Sequence, residues 1–390
     1  MSIVEHQKPG VSIIEHGKYF TSLPREYYLS EERYREELDK IWNQQWVYVG
    51  HLSQIKSKGD FITYEIGDES VIIIRGEGDE VRAHLNACRH RGVRLCTEQS
   101  GHVKRRIVCP YHSWSYDPDG TLKSATRQPD GEFFDYKDFG LIKVHVEVWR
   151  DFIFVSLADE TPATVASMID AESTAAMDLI EPKKLKVAHE IVYEADADWK
   201  LLLENGVECY HCESVHPEFC VTLDREAMSG YYDEDMVPDV VQGLIIPLKG
   251  EHDSLSIDGS FVSKKLLGKF DTGTPIPEKF GAGFMTQPGY MWVGFHPDYG
   301  MAANCLPAGV GKTKVIAQWF VHEDAVEGVD YNLDDLIKIW DVTMYQDLDI
   351  LQRQQAGLRA SKYTPGPNSY TQEPGIHAAL KKYLGMMGEA

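Results

Sequence analysis

Cys88-Arg-His90, eighteen further residues, then Cys109-Pro-Tyr-His112: the reading of the whole chain turns on this stretch. Each end offers one thiolate and one imidazole from a single short loop. Soft thiolates suit zinc or iron–sulfur clusters and imidazole suits either metal, so the residue types alone leave both open. The spacing separates them. Mixed zinc sites usually place two Cys together and two His together, whereas here each loop supplies one of each. That alternation fits a [2Fe-2S] centre in which two His replace two Cys on one of the irons. Cys88 and Cys109 would then hold one iron, and His90 and His112 the other.

The flanking residues carry a resemblance. Cys88-Arg-His90-Arg-Gly92 and Cys109-Pro-Tyr-His112-Ser-Trp114-Ser-Tyr116, followed by Asp119-Gly120, resemble the cluster motif of the oxygenase component of Rieske non-haem iron oxygenases. Ser113 departs from that pattern, since the family usually has Gly there. A positive φ at this position would put a small strain on Ser.

Outward from the motif, composition sets bounds. A chain of 390 residues has room for two or three cores, and 43% apolar with 26% charged residues is ordinary for a globular protein. A formal net charge of −22 argues against a generic nucleic-acid or anionic-membrane binder. No run reaches the length of a membrane span and Met1 to Lys8 lacks the shape of a signal peptide, so a cytoplasmic protein is expected. The seven cysteines (88, 96, 109, 209, 212, 220 and 305) show no disulfide framework and read as reduced thiols or metal ligands.

Residues 1–43 read as an irregular arm and a helix capped by Ser30, with Tyr34, Leu38, Ile41 and Trp42 on one face. Residues 44–160 alternate short apolar runs with turns: strands are expected over 46–50, 61–64, 71–75, 81–84 and 148–155. Around the Cys/His loops Arg89, Arg91, Arg94, Lys104, Arg105 and Arg106 gather positive charge, either as a docking surface for an acidic electron donor or as local charge balance. Residues 161–390 form the second domain, opening with a helix over 162–177.

There a second constellation appears. Asp198-Trp-Lys-Leu-Leu-Leu-Glu204-Asn205-Gly-Val-Glu208-Cys-Tyr210-His211-Cys-Glu-Ser-Val-His216-Pro217 reads as a buried helix that stops near Pro217. Glu208 and His211 share a face. His211 and His216 lie about 140° apart on an ideal helix, so they share a metal only if the helix breaks or bulges between them. Two imidazoles and a carboxylate make the facial triad of a non-haem Fe(II) oxygenase, although packed core His with a solvated Glu fits this stretch alone as well. For the carboxylate, Asp347 falls on the apolar stripe of Leu336, Trp340, Met344 and Leu351 in a helix over 333–358. A core-facing carboxylate is costly unless paired, either with a metal or with an Arg such as Arg353. Asp349 should face solvent, and Asp341 is a weaker rival.

This segment extends the resemblance. Trp199-Lys200, Asn205, Glu208, Tyr210-His211 and His216-Pro217, with Gln346-Asp347 and Gln355-Ala-Gly-Leu358, resemble the iron motif of Rieske oxygenases. The resemblance implies an α+β protein: an N-terminal all-β Rieske domain and a helix-grip catalytic domain of antiparallel sheet and helices. It implies that His211, His216 and Asp347 bind mononuclear iron, with Asn205 beside them, and that Glu208 bridges a neighbouring subunit's cluster to His211. It also implies a homotrimer, dioxygen as co-substrate, and NAD(P)H and flavin confined to a separate reductase; the chain itself has no dinucleotide fingerprint. Glu208 within Glu204-Asn-Gly-Val-Glu-Cys-Tyr-His-Cys212, His216-Pro-Glu-Phe219, Ser254-Leu-Ser-Ile-Asp-Gly259 and Leu266-Leu-Gly268 are similar to the branch acting on quaternary ammonium compounds such as glycine betaine, carnitine and stachydrine. Phe284, Tyr290, Trp292 and Phe295 are candidates for a cation cage or for core. An aromatic-ring dioxygenase and a zinc-stabilised or electron-carrying protein without oxygenase activity are the alternatives.

Overall fold

Apolar β-branched runs punctuated by Gly and Asp turns build one unit, and a long amphipathic helix laid on a sheet builds the other. A computed structural model describes residues 15, 17–78, 80–128, 130–131, 133–224, 242–243, 248–250, 252–277, 280–286 and 291–389. Its two units are Asn43–Ala166, and Met1–Trp42 together with Ser167–Ala390.

Among the described residues of the first unit ten strands form: β1 Val47–His51, β2 Asp60–Ile66, β3 Glu69–Arg75, β4 Val81–Leu85, β5 Ser100–His102, β6 Ile107–Val108, β7 Ser115–Tyr116, β8 Leu122–Ser124, β9 Lys143–Trp149 and β10 Phe152–Ser156. Seven of them make an antiparallel sheet in the order β1-β10-β9-β4-β3-β2-β5, and β6-β7-β8 make a small second sheet. Ile72, Ile74, Phe61, Trp114, Tyr116 and Leu122 fill the space between them together with the buried Cys88, Cys96 and Cys109. Each such apolar side chain contributes roughly 1.5–3 kcal/mol on burial, so the cluster loops stand on a packed base. The expected continuous strand over 148–155 is instead a hairpin. Arg150 (φ 50°) and Asp151 (φ 67°) are both left-handed, which is the two-residue turn whose twist matches its strands. Apolar run length alone hides such a turn.

In the second unit Ser30 accepts a hydrogen bond from the Arg33 N–H and caps α1, Glu31–Glu37; a π turn over Leu38–Trp42 then brings Leu38, Ile41 and Trp42 into the core. The helix expected over 162–177 is a 3-10 turn, Val165–Met168, followed by α2, Ala171–Ile180, whose N-cap is Asp170. Then come β11 Leu185–Ala195, α3 Trp199–Gly206, α4 Cys212–Val215, β12 Gln242–Gly243, β13 Ala282–Thr286, β14 Met291–Phe295, β15 Gly300–Gly309, β16 Lys312–His322, α5 Leu333–Leu358 and α6 Pro374–Met387. The sheet runs β11-β16-β15-β14-β13-β12, antiparallel throughout. Helix α5, capped by Asn332 on the N–H groups of Asp334 and Asp335, lies on this sheet: Trp340 meets Trp292 of β14 at 4.3 Å, and Asp341 accepts from the Tyr193 hydroxyl of β11 at 2.6 Å. Among the described residues no helix is long and apolar enough to cross a membrane.

A buried ionic knot fixes α3 against its neighbours. Glu37 accepts from Trp199 Nε1 (2.8 Å), Lys200 Nζ (2.7 Å) and the Tyr383 hydroxyl (2.6 Å), and Lys200 also reaches Asp198 at 2.7 Å. An ion pair taken out of water persists only with its hydrogen bonds filled, and here three elements fill them. The N-terminal end of α3, where the second constellation begins, is therefore held from behind.

Candidate metal centres

The two Cys/His loops of the first unit are copies of one turn. Cys88 N–H donates to Val93 O and Gly92 N–H to Cys88 O; Cys109 N–H donates to Trp114 O and Ser113 N–H to Cys109 O. Gly92 has φ 72° and its counterpart Ser113 φ 58°. Ser113 thus occupies the left-handed position that the sequence made suspect, at the usual cost for a residue with a Cβ. The turns bury the sulfurs and leave the imidazoles outside: Cys88 and Cys109 are buried and free of disulfide, His90 is exposed, and the two His Nδ1 atoms lie 3.1 Å apart. His90 stacks on Trp114 at 4.8 Å between centroids. The Tyr116 hydroxyl lies 3.3 Å from Cys88 Sγ and accepts from the Arg89 N–H. Burial pushes the Cys109 thiol up, and N–H groups of Tyr111 and His112 directed at its sulfur pull the other way. Two inner sulfurs with hydrogen-bond donors and two outer imidazoles fit the donor set that a [2Fe-2S] cluster with mixed ligation needs.

In the second unit the expected helix breaks earlier than Pro217. Helix α3 ends at Gly206, Val207 to His211 are not helical, and α4 lasts one turn before His216. Gly206 and the Asn before it are weak helix formers, and Cys209 and Cys212 are joined as a disulfide across the break, which corrects the expectation of reduced thiols throughout. Tyr210 is consequently exposed, not buried. Glu208 keeps its tie to His211 without a shared helical face, through a 2.6 Å contact from Nδ1 to Oε1.

The break brings the ligand candidates together. One donor atom each from His211, His216 and Asp347 falls within 4.8 Å of the others. His216 Nε2 lies 2.9 Å and His211 Nε2 3.4 Å from Asp347 Oδ1. Asn205 Nδ2, at the end of α3, donates to Asp347 Oδ1 at 3.1 Å and lies 3.2 Å from His211 Nε2. Burial disfavours a charged His211, but hydrogen bonds to Asp347 and Glu208 outweigh it and lift its pKa to about 9. For Asp347 burial works upward and the two imidazoles more strongly downward, so it stays ionised. The rivals are occupied elsewhere: Asp341 by Tyr193, and Asp349 by Arg353 at 2.6 Å on the surface.

Beside these residues opens a cavity of about 130 Å³. Phe219, Trp292 and Trp340 form an aromatic wall, with ring centroids 5.3 Å (Phe219 to Trp340) and 4.3 Å (Trp292 to Trp340) apart. Met301, Cys305 and Met344 add to the apolar lining. Of the four aromatics singled out from sequence, Trp292 lines the cavity and Phe295 is buried core; Tyr290 and the Phe284 side chain lie outside the described residues. Trp340 and Phe219 were not singled out as binding residues. Helical periodicity marked Trp340 as core, and only the fold shows that this stretch of stripe borders a void.

A two-Cys two-His donor set and a two-His one-carboxylate donor set are the two kinds of centre that an iron oxygenase fed by single electrons combines. Residues 182–389 match the ring hydroxylating alpha subunit (catalytic domain) and residues 45–144 the Rieske [2Fe-2S] domain. The chain belongs to this family of Rieske oxygenase alpha subunits. It is 34% identical to the glycine betaine monooxygenase oxygenase subunit of Chromohalobacter salexigens, over 91% of this chain and 83% of that one. It is 33% identical to the subunit of the same name from Pseudomonas aeruginosa, over 94% and 89%. The quaternary ammonium Rieske monooxygenase CntA, in its complex with L-carnitine, has the same fold, with a TM-score of 0.72 at 24% identity over 95% of this chain and 96% of that one. The protein is thus an oxidoreductase with a Rieske [2Fe-2S] cluster, a mononuclear non-haem iron and dioxygen as co-substrate. Membership of an oxygenase family removes the zinc-protein alternative.

Proposed function

We propose that the protein is the oxygenase component that hydroxylates an N-methyl group of a betaine-type quaternary ammonium compound. The supporting observation is the cavity: three aromatic rings stand beside a cluster of imidazoles and carboxylates, and a fixed positive charge over aromatic faces is stabilised without a counter-ion. Relatives of nearly the same length carry the name glycine betaine monooxygenase. Dioxygen, two electrons and two protons convert the N-methyl group to N-hydroxymethyl and water. That product loses formaldehyde and a proton to leave the tertiary amine.

His211, His216 and Asp347 hold the iron, and Cys88, Cys109, His90 and His112 hold the cluster. When bound, these groups supply dioxygen activation and single-electron storage. The chain's own residues do the positioning. Asn205 ties Asp347 to His211, so the carboxylate keeps one orientation as ligands come and go. Glu208 accepts from His211 Nδ1–H and from the N–H of Tyr210, which holds its carboxylate at the edge of the site where a neighbouring subunit's cluster His can meet it. The aromatic wall sets the methyl group toward the metal and keeps bulk water out. Electrons come from NAD(P)H through a separate flavin-containing reductase in the cytoplasm, and the working assembly is a head-to-tail homotrimer that pairs one subunit's cluster with the next subunit's iron.

The test is a turnover assay on anaerobically purified protein with reductant and candidate betaines. Formaldehyde formed only with a methylammonium compound, from protein holding about three irons and two labile sulfides, supports the reading. A cis-diol from an aromatic substrate in place of formaldehyde would move the protein to the ring-dioxygenase reading.

A further inference from the structure

His216 is gripped at both ring nitrogens by consecutive residues of α5. Asp347 Oδ1 stands 2.9 Å from Nε2, and Gln346 Oε1 stands 2.9 Å from Nδ1. The amide of Gln346 is itself committed: its Nε2 donates to Glu218 Oε2 at 2.8 Å. We propose that Gln346, oriented by Glu218, is a positioning residue that fixes the tautomer of His216 and so keeps Nε2 free to bind iron. The inference rests on the reading of His216 as an iron ligand and adds how that ligand is set.

The direction of each hydrogen bond follows from the donor inventory. An ionised carboxylate only accepts, so Glu218 forces the NH₂ end of the amide toward itself and the oxygen toward His216. An amide oxygen only accepts, so Nδ1 must carry a proton; when a metal takes the place of the contact from Nε2 to Asp347, the lone pair it needs is therefore at Nε2. Reversing the amide would turn an N–H toward Nδ1, draw the proton to Nε2, and block the metal. Outer partners of this type commonly change metal affinity 10–100-fold. The contrast with His211 is chemical. There Nδ1 meets a carboxylate directly, whereas at His216 a neutral amide stands between the ring and the carboxylate. His216 is thereby oriented without a second anion against the ring.

The experiment measures the third iron. Wild-type protein and variants loaded with iron are titrated with a competing chelator, and iron per labile sulfide is followed while far-ultraviolet circular dichroism reports folding and the visible spectrum reports the cluster. Q346L is expected to weaken mononuclear iron roughly 10–100-fold with the cluster unchanged. E218Q, which retains an acceptor oxygen, should stay within about threefold of wild type. Q346E sets two carboxylates against each other and should lose iron, and E218Q/Q346E, which reverses the donor and acceptor of that contact, should regain most of the loss. If Q346L fails to fold, the comparison of Q346E with the double variant decides. Wild-type affinity in Q346L, or no recovery in the double variant, overturns the proposal. Retention of the third iron in H216A would instead overturn the ligand assignment beneath it.

Discussion

At His211 three facts meet: a ring partly withdrawn from water, a carboxylate at each nitrogen, and a pKa lifted to about 9. In the metal-free protein this imidazole is therefore protonated at neutral pH, and a metal can bind only after the proton leaves. The sign is fixed. Below about pH 9 iron binding releases close to one proton from His211, and the apparent affinity falls about tenfold for each unit that the pH drops. Calorimetric titration of metal-free protein at pH 7.5 in two buffers of different ionisation enthalpy should give that release, and equal heats in both buffers would contradict it. Two residues were conspicuous in the sequence because each broke a local rule. Asp347 sat on an apolar stripe, and Ser113 stood where positive φ was in question and proved to have φ 58°. Gln346 broke none, since a polar residue beside a helical stripe needs no explanation until the fold shows what it touches.

Elements were legible where period and caps agreed, and lost where a short turn or a break interrupted them. Ser30 and α1, or the full length of α5, follow from one cap and a 3.6-residue stripe. The hairpin at Arg150-Asp151 and the end of α3 at Gly206 depend on a few φ angles that no period records. The break after α3 is held from the far side by α6. A Cβ added at Gly375, in the first turn of α6, would lie 2.1 Å from the carbonyl oxygen of Val207, the residue preceding Glu208. That carbonyl is backbone and cannot turn aside as a side chain would. G375A should therefore cost about 1–3 kcal/mol by lifting α6 or displacing Val207. Urea unfolding should show a lower midpoint with an unchanged slope, with the cluster spectrum intact in the native baseline. An unchanged midpoint would mean that α6 does not press on this segment.

For the whole molecule the decisive quantity is which cluster feeds which iron. The four residues proposed to hold the cluster lie in one unit and the three proposed to hold the iron in the other, and sequence order says nothing of whether electrons pass within a chain or between chains. A head-to-tail ring makes a countable prediction. C88S removes the cluster and leaves the iron site; H216A removes the iron site and leaves the cluster. Each variant alone should be inactive in either arrangement. Co-expressed in equal amounts with random assembly, about three quarters of the trimers are mixed, and every mixed ring contains one junction at which an intact cluster faces an intact iron site. Because a wild-type ring has three such junctions, formaldehyde release should return to about a quarter of the wild-type rate. Transfer confined to one chain gives zero, since no chain carries both centres. Mixing the two purified variants without subunit exchange should also give zero, which separates assembly in the ring from electron shuttling through solution.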